Sequence, residues 1–379
     1  MKRATGFVVI ALALAATMSL TTMAVAQNSK DRSAAFEAAP KLATSVAGVH
    51  AFTAPPKDFN PLTATNRELW KYGLPEAPDK TADPEGFAHW QRAMKALGTH
   101  ATDVRQTNYI VGPMKAAGQP QKQSSGTNYA YSLNWSGLAY WNGLSTWSSK
   151  KSFYQVSSVA TVPYGNPPSD YVCSDGPWIV VAWNGIDGFT NGDVVQGGSF
   201  GGFECGEEGG YLYAGWVEWF PSYPVLFIYC ATPFGFELCP VNPGDDFYTI
   251  TTARPGTEEQ YVFDEDLTTG WWGTFGLTYI TVPGVAGQSG EWIVERPGGD
   301  PEDPYYLYPL ADYSADSFYY DYALNEAGTT FDSTSSGGWN ITMLADDLKT
   351  PISYAVPTAE RSSIFFYDEN CAKVRGCSF

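Results

Sequence analysis

Two segments of this 379-residue chain set carboxylates beside tryptophan in an alternating pattern. In Trp216-Val217-Glu218-Trp219-Phe220, an extended backbone puts Trp216, Glu218 and Phe220 on one face and Val217 and Trp219 on the other. In Glu291-Trp292-Ile293-Val294-Glu295, the same rule groups Glu291, Ile293 and Glu295. A carboxylate set between large aromatics is costly to desolvate unless it has a partner or a task. Upstream, Trp183-Asn184-Gly185-Ile186-Asp187-Gly188 reads as a strand ending in a tight turn that would hold Trp183 and Asp187 rigidly. Val194-Val195-Gln196-Gly197 follows as a strand-like piece carrying one amide. All three histidines, His50, His89 and His100, precede Ala101. Chemistry in the later region must therefore run on carboxylate, amide, hydroxyl or thiol groups, which excludes Ser-His-Asp and Cys-His catalysis and His-ligated metal sites there.

The elements that would position these groups are strands. From Asn128 onward, short runs rich in Val, Ile, Tyr, Trp and Thr are separated by Gly, Pro and Asp: 152–162, 178–183, 211–220, 225–229, 247–253, 260–263, 273–281 and 291–295. No stretch there keeps a helical period for three turns. A body of about 250 residues built this way is expected to be all-β, an antiparallel sandwich of two packed sheets. Residues 27–127 read differently, as a loop-rich, partly helical leader. Asp83-Pro84-Glu85 is a helix start, Phe87, Trp90, Met94 and Leu97 recur at helical spacing, and Gly98 stops it. A second, shorter helix is expected over 66–72, and 117–127 reads as a polar linker open to proteolytic nicking.

The chain opens with Lys2, Arg3, an apolar run from Gly6 to about Leu20 and small residues at Ala24 and Ala26, the pattern of a signal peptide over 1–26. The expected division is thus 1–26 signal peptide, 27–127 propeptide or N-terminal leader, and 128–379 β-sandwich catalytic domain, in a secreted protein that meets the extracellular or periplasmic space. Charge follows the same division: 12 Lys+Arg against 9 Asp+Glu over 27–128, but 8 against 31 over 129–379. So acidic a body would repel nucleic acid and anionic lipid, which excludes both as partners. A basic leader on an acidic body also suggests a complex that holds at neutral pH and loosens in acid. All six cysteines lie in the body, and an even number in an exported chain argues for disulfides. Local pairing, Cys173–Cys205, Cys230–Cys239 and Cys371–Cys377, is the expectation among 15 connectivities. No CxxC spacing occurs, and neither metal nor cofactor is expected.

The order of these motifs resembles the glutamic peptidases, or eqolisins. The resemblance runs from Asn134-Trp135-Ser136-Gly137 to Ile341-Thr342-Met343. It includes Thr161-Val162-Pro163, the Trp183–Gly188 turn, Gln196-Gly197, Trp216–Pro221, Asp245-Asp246, Leu267–Gly270 and Glu291–Glu295. It implies a concanavalin A-like jelly roll whose concave sheet bears a glutamine–glutamate pair. Carried over position by position, it makes Gln196 and Glu295 catalytic, with Glu291 as the competitor for the second role. Trp183, Asp187, Trp216 and Glu218 would line or support the substrate cleft. Phe220 stands where the family usually has tyrosine, and Asn184 where it has an apolar residue.

Such a pair suits amide hydrolysis. Glu295 as carboxylate can take a proton from water and return it to the leaving nitrogen, while Gln196 supplies an N–H donor that no pH removes. Glu218 or Asp187 could hold the Gln196 amide in the right orientation. The implied protein is an acid-active, monomeric endopeptidase that takes protein or peptide substrates and has its own propeptide as inhibitor. Two other readings use the same residues: a glycoside hydrolase pairing Glu218 with Glu295 on an aromatic sheet, and a lectin-like binding module with aromatic platforms. Gln196 separates them, since only the peptidase requires it.

Overall fold

The computed structural model describes residues 31–81, 83–98, 101–119, 121, 128–169, 171–205, 209–255, 257, 259–277, 284–299, 306–313, 315–359 and 363–368. The expected signal peptide, His100, most of the polar linker and the Cys371–Cys377 loop lie outside the described residues. Within them, two antiparallel sheets pack as the expected sandwich. One sheet runs Asn128–Ser132, Trp339–Leu344, Trp135–Trp141, Ser289–Glu295, Trp178–Ile186, Val194–Glu204, Gly210–Phe220, Tyr223–Thr232 and Thr102–Gln106. Only its first pair is parallel. The other runs Ala315–Asn325, Phe153–Thr161, Asp246–Ala253, Gln260–Asp266, Trp272–Leu277, Val49–Phe52 and Lys41–Ala43. Pro351–Thr358 and Ser363–Asp368 join the two along one edge.

Strict alternation sorts the side chains. In the first sheet Val180, Ala182, Val195, Val217, Trp219, Trp292 and Val294 turn inward to the core between the layers. Ile179, Val181, Trp183, Phe200, Trp216 and Ile293 turn to the opposite face, where they form a second buried cluster. An antiparallel sheet usually leaves one face wet. This one is apolar on both, so something must cover the second. Asn184, the residue at odds with the family pattern, faces the core: its Nδ2 donates to Ser158 Oγ and to Thr249 C=O, both 2.9 Å, tying one sheet to the other.

Two features exceed what the sequence suggested. The strand expected only around 194–197 continues to Glu204, and its glycines are steric necessities: a Cβ on Gly198 would lie 2.1 Å from the Ala182 carbonyl oxygen. The leader, moreover, contributes strands of its own, Lys41–Ala43, Val49–Phe52 and Thr102–Gln106, which extend both sheets. The helix at Pro84–Ala96 forms as read, with the Asp83 side chain accepting from Gly86 N–H at 2.8 Å. That cap contributes about 1 kcal/mol. Burial of Trp90 and Met94 against Val159, Tyr248, Phe263 and Trp272 contributes about 2–3 kcal/mol each, so packing on the body decides the helix. The shorter helix, Asn66–Trp70, carries a capping box between Thr65 and Glu68. Disulfides join Cys173 to Cys205 and Cys230 to Cys239, as expected.

Among the described residues twelve Asp and Glu are buried, against three arginines and two histidines. The cations are too few to pair them. Burial pushes Asp264, Glu265, Glu291 and Asp316 well above the usual carboxylate range. Keeping such a group ionised would cost several kcal/mol, more than one hydrogen bond returns, so it holds its proton instead. Through these groups the folded chain binds more protons than the unfolded chain as pH rises above about 4, and they outnumber the two buried histidines that shift the other way. Stability should therefore be greatest near pH 4 and fall as pH rises toward 8. Thermal unfolding of an intact, inactivated chain (Glu295→Gln) across that range checks this; a Tm that rises with pH contradicts it.

Candidate active site

Strand register brings the sequence-derived residues to one face. Gln196 lies opposite Glu218 on one neighbouring strand and opposite Gly185 on the other. Trp183 lies opposite Gly198 and Ile293, and Glu295 opposite Val181 and Trp135. Paired residues share a face, so Gln196, Glu218, Trp183, Trp216 and Glu295 converge on the apolar side that faces away from the core. All five are buried.

The Gln196 amide is fixed by its surroundings. Its Nε2 donates one hydrogen to Glu218 Oε2 at 2.5 Å and the other to the Val111 carbonyl oxygen at 2.9 Å. Glu218 thus takes the orienting part, as one of the two candidates for it. Burial and the nearby Glu295 drive its carboxyl well above the ordinary range, while the Gln196 bond opposes this. Asp187 is engaged elsewhere: its carboxylate accepts from the backbone N–H of Ala286, Gly287 and Gln288 at 2.7, 3.0 and 2.6 Å. It organises that loop from a left-handed turn, φ 73°. Burial lifts it to about 6 even so.

Glu295 is held on both oxygens. Oε2 accepts from Trp183 Nε1 at 3.1 Å; Oε1 accepts from Asn134 Nδ2 at 2.9 Å and from Gly112 N–H at 3.3 Å. Desolvation outweighs these donors and pushes its carboxyl up to about 8. Trp135 packs edge-on against Trp183, ring centroids 4.9 Å apart. Glu291 lies four residues along the same strand but sits in the field of Asp187, with Ser289 beside it. Trp216 is fully buried and its indole N–H has no acceptor among the described residues. Phe220, half-buried, borders Gly112: a Cβ there would meet the Phe220 ring at 3.8 Å.

Reasoning from sequence missed Asn134 and the segment around Val111–Gly112. Asn134 stood in the sequence only as the start of the family-like Asn134-Trp135-Ser136-Gly137 stretch, with no role given to it, yet its side chain is buried and bonds Glu295, Pro113 C=O, Ser132 Oγ and Lys115 N–H. Residues 109–115 run across the apolar face: Ile110 exchanges two backbone hydrogen bonds with Gly298, and Met114 N–H donates to Gly188 C=O. They are what covers it. The signal was present as an apolar Tyr109–Met114 run in an otherwise polar stretch, but nothing local says where such a run docks.

Residues 139–358 match the profile of the Peptidase A4 family. All the site residues from Trp183 to Glu295 fall inside that stretch, whereas Asn134 and the leader fall outside it. No curated protein matches the chain. Among solved structures, scytalido-glutamic peptidase with a peptide-based transition-state analogue is 18% identical with a TM-score of 0.47, covering 62% of this chain and 98% of that one. SCP-B, an eqolisin solved with the tripeptide Ala-Ile-His, is 18% identical with a TM-score of 0.45 and the same coverage.

Asn134 is the donor whose loss the Glu295 carboxyl should feel most, since the other two donors are longer. In Asn134→Leu the carboxyl should titrate above about 8. Carboxyl-carbon NMR of the intact chain reads this; an unchanged or lowered midpoint contradicts it.

Proposed function

We propose, on the premise that this chain belongs to the peptidase A4 family of glutamic peptidases, that it is a secreted, acid-active endopeptidase. Gln196 and Glu295 would form its catalytic pair. One observation carries the assignment: the Gln196 amide and the Glu295 carboxyl both reach a single peptide unit, the first at the Val111 carbonyl oxygen and the second at the Gly112 nitrogen. Those are the atoms at which amide hydrolysis needs an oxyanion donor and a proton source for the departing amine. Asn134, Trp183 and Glu218 are positioning residues, the first two on Glu295 and the third on Gln196. Trp216 and Phe220 supply apolar contact to the chain in the cleft, and Asp187 shapes the cleft's end loop. A glycosidase would need Glu218 free to work with Glu295, but Glu218 is engaged in holding Gln196.

In this reading residues 27–127 act as a propeptide and residues 128–379 as the catalytic domain, released as a monomer after export. The leader blocks the cleft physically. It also keeps Glu295 dry, and a carboxyl held at about 8 is neutral at physiological pH and cannot accept water's proton. Uncovering the site admits water, removes the desolvation that dominates the shift, and lets Glu295 ionise at lower pH.

The contacts that dock the leader are acid-sensitive. His89 is buried on Tyr248, Tyr319 and Tyr320, with Arg92 and Asp246 beside it; His50 is buried next to Phe52, with Lys41 beside it. Desolvation depresses both to about 4. A histidine lowered in this way binds fewer protons docked than free. Docking is therefore weakened as pH falls from about 6.5, the ordinary value, toward 4. An open cleft of about 640 Å³ lined by His89, Tyr248 and Tyr320 gives solvent a path to one of them. The ion pairs Arg92–Asp246 and Arg32–Glu259 also join leader to body. The body, with its protonated interior, gains in the same range.

Gln196→Ala and Glu295→Gln should each abolish digestion of denatured haemoglobin between pH 2 and 7 while leaving the far-ultraviolet dichroism unchanged. Removing one oxyanion donor alone is expected to cost about 10²–10³ in kcat. Retained activity in either variant overturns the pair. Separately, His89→Phe should delay leader release to lower pH, read by size exclusion of the inactive chain after mild nicking of the linker. Release at an unchanged pH would remove His89 from the switch.

A further inference from the structure

We infer that the Val111–Gly112 peptide bond is the first bond this enzyme cuts in itself, an intramolecular maturation site built into the leader. The inference rests on Gln196 and Glu295 being the catalytic pair. A segment that merely plugs the cleft could lie in any register and either direction. Here the register sets one amide across the pair: the Val111 carbonyl oxygen accepts from Gln196 Nε2 at 2.9 Å, and the Gly112 N–H points to Glu295 Oε1 at 3.3 Å.

Contacts on both sides hold that amide in place. Before it, Ile110 is paired to Gly298 by N–H to C=O bonds of 2.9 and 2.8 Å, in the manner of an added strand. After it, the Gly112 carbonyl accepts from Trp135 Nε1 at 3.0 Å and the Pro113 carbonyl from Asn134 Nδ2 at 3.2 Å. The Val111 side chain is fully buried in the apolar cluster of Trp135, Trp183, Trp216 and Ile293. Gly112 presents no side chain toward Phe220. Fixing a reactant this closely is the entropic part of catalysis, met before water arrives.

The step balances without further reagents. Water enters once acid loosens the leader. Its oxygen adds to the Val111 carbonyl carbon as ionised Glu295 takes one of its protons, and Gln196 donates to the developing oxyanion. Glu295 then returns the proton to the Gly112 nitrogen as the C–N bond breaks. The products are a leader ending in the Val111 carboxylate and a body beginning with Gly112. The same contacts describe a substrate preference for an aliphatic side chain on the carbonyl side of the cut.

The test uses the full chain without its signal peptide, prepared at pH 7.5 and shifted to pH 4. Intact-mass spectrometry and amino-terminal sequencing are followed over time at concentrations differing twentyfold, with digestion of denatured casein in parallel. The expected first products are a fragment ending at Val111 and one beginning at Gly112, at a first-order rate that dilution leaves unchanged, both absent in Gln196→Ala. A first cut elsewhere, for example within 117–127, or no cut, or a rate proportional to concentration, overturns the inference. If casein is still digested by wild type and not by Gln196→Ala, the catalytic pair survives that failure; if Gln196→Ala digests casein, the pair itself is lost.

Discussion

The interior of this protein holds more carboxyl groups than cations: among the described residues twelve are buried against three arginines, two of which meet at Glu259. Desolvation favours the neutral form of a buried carboxyl without such a partner, because the alternative is an ion in a medium that cannot solvate it. The same pressure acts on Glu218 and Glu295 at the candidate site and on Asp264, Glu265 and Asp316 in the second sheet. A chain constructed this way is at home in acid, because protonation there is the folded state's own preference. The candidate site and the fold's stability thus draw on one physical term, and the absence of histidine after Ala101 is consistent with it. Imidazole would be charged where these carboxyls are neutral.

The leader obeys the opposite rule. Its two described histidines are buried neutral, so acid works against its docking while favouring the body. It is nonetheless knit into the fold: it lengthens both sheets, covers a helix-sized patch of the second, and threads 109–115 across the apolar face of the first. That last placement explains why a sheet can be apolar on both sides. The second face is already covered by the chain's own residues 109–115.

Much of this was legible in the sequence because sandwich strands alternate, and alternation needs only local information. Glu218 and Glu295 could be set on faces from their own pentapeptides, and Asp83-Pro84-Glu85 announced a helix that forms as read. Gln196 was found by its order among the motifs, and its strand was read only as far as Gly197, short of the glycines at 198, 201 and 202. They are there because neighbouring backbone and side chains come too close for a Cβ, a fact that exists only after the sheets pack. The leader strands and the path of 109–115 stayed hidden for a related reason. Lys41–Ala43 and Val49–Phe52 are short, and their partners lie hundreds of residues away or across a turn. Asn134 illustrates the limit: a buried amide serving Glu295 has the same letters as a surface glycosylation site.

The central claim is that Gln196 and Glu295 bracket one amide bond of a chain lying across the first sheet. A crystal structure of the intact Glu295→Gln chain at neutral pH tests it most directly. The expected result is the Val111 carbonyl oxygen on Gln196 Nε2 and the Gly112 nitrogen beside residue 295, with Ile110 paired to Gly298. A cleft open to solvent, or 109–115 crossing it with some other amide at the pair, would contradict it.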